Sequence, residues 1–168
     1  MRIQLGKYAK KQYVGASLRL ALGWTFLWAF LDKTFGFGYA TSSESAWTNG
    51  GSPTSGFLTY GTAGPFSNFF QDMAGSAAID VLFMLALLML GIALILGIGM
   101  KMVAISGSAL MLLMWASRLP PENNPIIDDH IVYLIALIGL ALVGAGQWIG
   151  FGKWWSELSL VKRFPILE

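Results

Sequence analysis

The chain has 168 residues, of which 55% are hydrophobic and 12% charged, with a formal net charge of +2 and a mean hydropathy of +0.62. A soluble domain carries about 25% charged residues, so this chain lacks the polar dressing that water on all sides requires. It contains no cysteine, which excludes disulfides, thiolate metal centres, iron–sulfur clusters and a cysteine nucleophile, and its small net charge gives no argument for nucleic acid.

The size fits one membrane domain over residues 1–168. The chain opens with Arg2, Lys7, Lys10 and Lys11, followed by an apolar stretch from Val14 to Leu31. That stretch is longer than the core of a signal peptide, and the bulky "LDKTFGFGYA" after it offers no small-residue cleavage site, so a retained first helix is expected. Arg19 interrupts it near one end, and Asp32 and Lys33 close it. An arginine inside a span costs about 2.5–3.5 kcal/mol on insertion scales. Snorkelling toward headgroups is its ordinary explanation, and Gln147 is a candidate partner.

Residues 32–78 form a long connection rich in Gly, Ser, Thr and Asn. Phe57, Leu58, Tyr60, Phe66, Phe69 and Phe70 in its second half predict short helices lying at the membrane surface over the mouth of the bundle. Three further apolar runs follow, at 79–100, 102–117 and 131–149. The second and third spans are separated only by a tight Gly-containing turn and so form a hairpin. In lipid the backbone must satisfy itself, so all four runs are expected to be helices. The predicted fold is an all-α integral membrane protein, a four-transmembrane-helix bundle. Small residues such as Gly91, Gly97, Gly139 and Gly144 favour close packing, within one bundle or across a homo-oligomer seam.

Basic residues orient the set. Those before span one, Lys101 in the hairpin turn, and Lys153, Lys162 and Arg163 after span four share one side, while only Lys33 and Arg118 lie on the other. The positive-inside rule then places both termini in the cytoplasm of a multi-pass plasma-membrane protein. Asp32, Glu44, Asp72, Asp80, Glu122, Asp128 and Asp129 all fall on the outer side.

Each span therefore delivers polar groups to one outer rim. Span four does so most densely, with "PENNPIIDDHIVYL" over 121–134. Asp128 and Asp129 meet the positive end of a helix dipole, worth about 0.3–1 kcal/mol each. Asp129, His130 and Tyr133 have spacings of three and four, which place them on one helix face. Such a set can exchange protons with a substrate at the membrane surface. Lys33, Arg118 and a protonated His130 can attract a small anion. No phosphate-binding loop, dinucleotide fingerprint or metal motif is present, so no metal is expected.

Several of these stretches resemble the DoxX/DoxD membrane family: "LRLALGWTFLWAFLDK" (18–33), "GFLTYGTAGPFSNFFQDMAG" (56–75), the span led by Asp80, and "NPIIDDHIVY" (124–133). The likeness extends from about Leu18 to Trp155. It implies a four-helix membrane bundle that joins two thiosulfates into tetrathionate and passes two electrons to membrane quinone, with a small DoxA-like subunit or a soluble redox protein as partner. Under it, Asp129, His130 and Tyr133, with Asp32, become the proton-handling groups. Lys33, Arg118 and Arg19 become substrate anchors, and Trp24, Trp28 and Trp115 flank a quinone ring. The alternative is a non-catalytic membrane scaffold of a redox complex. A small oxyanion transporter ranks last, because only Arg19 and Gln147 lie at depth.

Overall fold

The structure, a computed structural model, describes residues 10–122 and 124–168. Arg2 and Lys7, counted above among the orienting charges, lie outside the described residues. The described residues are 73% helix and include no strand. Four longer helices form the frame: α1 (Lys10–Phe35), α3 (Ala77–Leu96), α4 (Met100–Ala116) and α5 (Asp129–Leu142). The short α2 (Ser67–Gln71) lies before α3, and α6 (Gly152–Glu157) and α7 (Ser159–Arg163) follow α5.

Helix α1 packs on α3, α3 on α4, and α4 on α5. Their shared core contains Leu22, Phe26, Met84, Leu90, Leu94, Val103, Met111 and Leu137. Glycine sets the α1–α3 approach. A Cβ on Gly91 would sit 2.8 Å from the Leu27 backbone, and one on Gly23 would sit 2.9 Å from the Leu94 side chain. Small residues at a seam let the two helix backbones approach closely and gain van der Waals contact. Gly91 thus serves the intramolecular seam, whereas nothing lies within 4 Å of a Cβ on Gly139.

Two helices, α1 and α3, are long and apolar enough to cross a membrane, with mean hydropathies of 1.4 and 2.8 over their best windows. The α3–α4 turn is as tight as expected: Gly97 and Gly99 both adopt positive φ, 75° and 60°, ending one helix and starting the next. The connection from Gly36 to Ser76 is not a plain loop. It carries short 3₁₀ turns at 43–45, 47–49 and 64–66, a π-helical turn at Phe57–Gly61, and α2. Short helices were expected there from the aromatic density.

The fourth apolar run departs from its expected helix over 131–149. Helix α5 stops at Leu142, Gly144 turns left-handed at φ 66°, and Ala145–Gln147 forms a 3₁₀ turn. Close packing explains the break, since a Cβ on Gly146 would lie 2.5 Å from the Gly97 carbonyl oxygen. Beyond the break, the chain runs through α6 and α7 and brings residues 165–168 back onto the start of α4. The Lys101 N–H donates to the Glu168 carbonyl at 2.8 Å, its ammonium pairs with the Glu168 carboxylate at 3.0 Å, and the Trp155 indole donates to the Leu167 carbonyl at 2.6 Å.

Candidate functional site

One end of the molecule gathers the C-termini of α1 and α4 and the N-termini of α3 and α5. The connection ties itself to this rim through buried carboxylates. Asp32, 1% exposed, accepts from the Ala40 N–H at 2.9 Å and the Tyr39 N–H at 3.4 Å. Asp80, 6% exposed, accepts from the Thr54 hydroxyl at 2.6 Å, the Ser52 hydroxyl at 2.9 Å and the Thr54 N–H at 3.1 Å. Lys33 stands beside both acids and donates to the Pro53 carbonyl at 3.1 Å, with its ammonium 5.9 Å above the Phe83 ring. The Ala63 N–H reaches across to the Ser117 carbonyl at 2.8 Å, joining the connection to the end of α4. Each buried charge is thus matched by donors or by an opposite charge, as burial demands.

Two recesses lie at this rim and share no lining residue. The first is an apolar cavity of about 270 Å³ between α3, α4 and the connection. Phe57, Leu58, Phe70, Phe83 and Met114 line it, and Lys33 is its only charged wall residue among the described residues. An ammonium has three donors, and Pro53 takes one of those on Lys33. The second is a polar recess of about 370 Å³ lined by Arg118, Glu122, Asn124, Asp128, Asp129 and His130. The end of α4 separates them: Leu113 and Met114 of its last turn line the first, and Arg118, two residues beyond the helix, lines the second.

The polar recess is organised by the start of α5. Asp128 is the N-cap, with backbone φ −122°, and its carboxylate accepts the Ile131 N–H at 3.2 Å. The same carboxylate meets His130 Nδ1 at 2.8 Å, while Asp129, 70% exposed, is 3.5 Å away. Partial burial pulls the Asp128 carboxyl upward, yet the hydrogen bonds from His130 and Ile131 outweigh it and hold the group below the usual carboxylate range. The imidazole therefore bonds backward to the cap and not forward to Tyr133, whose ring packs against the core. Helical spacing allowed either contact; the capping geometry, which folds Asp128 over the first turn, selects the first. Ligand atoms of Asp128, Asp129 and His130 lie within 4.8 Å of one another, the group among the described residues whose spacing a metal ion could bridge.

The remaining candidates lie elsewhere. Arg118 pairs with Glu122 at 2.6 Å. The Trp115 indole donates to the Ile126 carbonyl at 2.8 Å, pinning the segment before α5. Trp28 stacks on Phe37 at 5.7 Å and meets Tyr39 edge-on at 5.2 Å, within an aromatic group that includes Trp24. Arg19 belongs to the opposite end. It is 0% exposed, and its guanidinium donates to the carbonyls of Leu94, Ile95, Trp148 and Ile149. It neither snorkels nor pairs with Gln147, whose amide faces the Gly152 carbonyl at 3.5 Å. Sequence reasoning missed the pairing of Asp128 with His130, the Ser52 and Thr54 partners of Asp80, and the cavity walls Phe57, Phe70 and Phe83. The aromatic density of 57–70 was the one signal for the last.

No family model, curated protein or solved structure matches this chain.

Proposed function

We propose that the chain is a four-span plasma-membrane protein with cytoplasmic termini, of the DoxX/DoxD kind, that passes electrons from thiosulfate to membrane quinone. Partial burial supports the membrane reading. Only 28% and 33% of the apolar windows of α1 and α3 are buried, where the core helix of a soluble protein would be mostly covered. The shorter α4 and α5 also turn apolar side chains outward, among them Met102, Ile105, Leu112, Val132, Ile135 and Leu142. At 14 residues α5 is about 21 Å long, so the fourth span needs the 3₁₀ segment after it. Non-helical backbone at membrane depth is tolerated where protein satisfies it, and Arg19 does so for Trp148 and Ile149.

The observation that carries the redox reading is the pair of recesses flanking the end of α4. The apolar cavity fits the ring of a quinone, with the Lys33 ammonium placed for a carbonyl oxygen. The Asp128–His130 pair stands in the neighbouring recess as a proton donor. The balanced reaction forms one S–S bond between two thiosulfates and delivers two electrons, with two protons, to the quinone. The polar recess suits proton delivery better than anion anchoring, because Glu122, Asp128 and Asp129 oppose a dianion and Glu122 already occupies Arg118. The thiosulfate half of the reaction rests on the resemblance of the DDH segment and the GTAGPF loop.

A second reading, a non-catalytic scaffold for a soluble redox partner or a DoxA-like subunit, is favoured by one specific observation. Arg19, Lys33, Asp32 and Asp80 all bond backbone groups and so serve the fold. The assay that separates the two uses membranes containing the protein and a short-chain benzoquinone. The redox reading predicts quinone reduction only when thiosulfate is present. No thiosulfate-dependent rate, together with a stoichiometric redox partner retained in mild detergent, would replace it with the scaffold.

A further inference from the structure

The end of the molecule opposite the two recesses carries a surface that the redox reading does not use. The beginning of α1, the α3–α4 turn and the C-terminal segment meet there. Arg19 bonds the carbonyls of both Leu94 and Trp148–Ile149, and Lys101 bonds Glu168. From the end of α5 onward, large apolar side chains stand exposed at Leu142, Val143, Ile149, Phe151, Trp154, Leu160, Phe164 and Ile166. Interleaved with them, Lys153, Lys162 and Arg163 are exposed, as are Lys10 and Lys11 at the start of α1. The acids of this segment do not cancel them: Glu168 is engaged by Lys101, leaving Glu157. The segment is nonetheless fixed in place, since its last residues bond Lys101 and Trp155.

We propose that residues 152–167 form an interfacial foot that binds the anionic headgroups of the leaflet on that side, with its apolar side chains in the acyl boundary and its cations on phosphates. Two features select a lipid surface over an acidic protein. From the exposed face of α5, which the proposed membrane already covers, to Phe151 no exposed polar side chain intervenes. The basic residues alternate with Trp and Phe, the combination that seats a helix at the headgroup level. Basic side chains beside an anionic leaflet strengthen attachment in proportion to their number. This inference rests on the membrane reading and adds lipid selectivity to it.

The test uses the full-length protein in mild detergent, titrated with phosphatidylglycerol or phosphatidylcholine and read by native mass spectrometry. Wild-type protein is expected to retain phosphatidylglycerol about tenfold more tightly than phosphatidylcholine. The combined substitution Lys153→Gln, Lys162→Gln, Arg163→Gln should erase that difference without moving the unfolding temperature, because none of the three is buried. Equal retention of both lipids by the wild type overturns the proposal, and so does an anionic preference that survives the triple substitution. So would saturable binding of an acidic soluble protein that excludes phosphatidylglycerol. Alkaline extraction of membranes keeps the two readings apart. A protein that resists extraction yet shows no lipid preference contradicts the foot alone, whereas a released protein contradicts the membrane reading as well.

Discussion

Two charged sites at opposite ends of this molecule, Arg19 and the start of α5, treat charge in opposite ways. At one, Arg19 is fully buried and bonds four main-chain carbonyls on two segments. At the other, Asp129 is 70% exposed and His130 18%, and the imidazole has a single close partner in Asp128. The first arrangement leaves almost no capacity for a ligand. The second leaves an open carboxylate and an imidazole nitrogen beside a recess. Engagement of most donors, more than depth along the helix, separates a charge that builds the fold from one that is available for chemistry.

Arg19 also explains why the fourth apolar run can break. Helix α3 ends with its last carbonyls covered: Gly97 and Ile98 N–H serve Ala93, Arg19 serves Leu94 and Ile95, and the Phe151 N–H serves Leu96 at 2.8 Å. The guanidinium then spans to the broken end of the last run. Its planar fork holds more donors than an ammonium in a fixed geometry, which lets it meet four carbonyls on two segments at once.

The contrast can be broken most severely at Arg19. Arg19→Met strands several buried carbonyls and should cost about 3 kcal/mol or more, read as unfolding in detergent, since each orphaned group costs about 1–3 kcal/mol. Arg19→Lys should fall between the two, and wild-type stability in Arg19→Met would refute the bridging role. Next in size is Gly146→Ala, which presses a methyl against the Gly97 carbonyl. Overpacking of this kind costs about 1–3 kcal/mol, and the same measurement reads it. At the rim, Asp80→Ala should free the 52–54 segment, with a loss of about 1–3 kcal/mol. Faster hydrogen exchange at Thr54 would show it, and unchanged protection there would contradict the anchoring.

The smallest effect is expected at the α5 cap. Asp128→Ala should cost about 1 kcal/mol, typical of a lost N-cap. The sign of its pH dependence follows from the depressed carboxyl. The stabilisation is present above the ordinary carboxylate range and is lost as pH falls through the lowered value. His130→Ala removes the strongest of the contacts that lower it, so that loss should move to higher pH in an acid-unfolding series. An unshifted acid limb would mean that the 2.8 Å contact does not stabilise the carboxylate.

Much of this was legible in the sequence. The positions of α1, α3 and α4 follow from runs of apolar residues, and the α3–α4 hairpin from the glycines between them. The gathering of Asp32, Asp80, Asp128 and His130 at one end follows from alternating helix direction. Three features were not legible. The break after Leu142 depends on the close approach of Gly146 to Gly97, a contact between segments distant in sequence. The destination of Arg19 depends on carbonyls, which carry no sequence signature. The joining of the connection to the end of α4 depends on Ala63 reaching Ser117, a backbone bond that no side chain announces.

The account turns on the two recesses beside the end of α4 acting as a pair, and a photoreactive benzoquinone tests this most directly. Irradiated with the protein in membranes, the probe should label Phe57, Phe83 or Met114, unlabelled quinone should protect them, and the labelling should be lost in Ala86→Trp, which fills the cavity. Labelling confined to the exposed faces of α1 and α5, unchanged in Ala86→Trp, would contradict it.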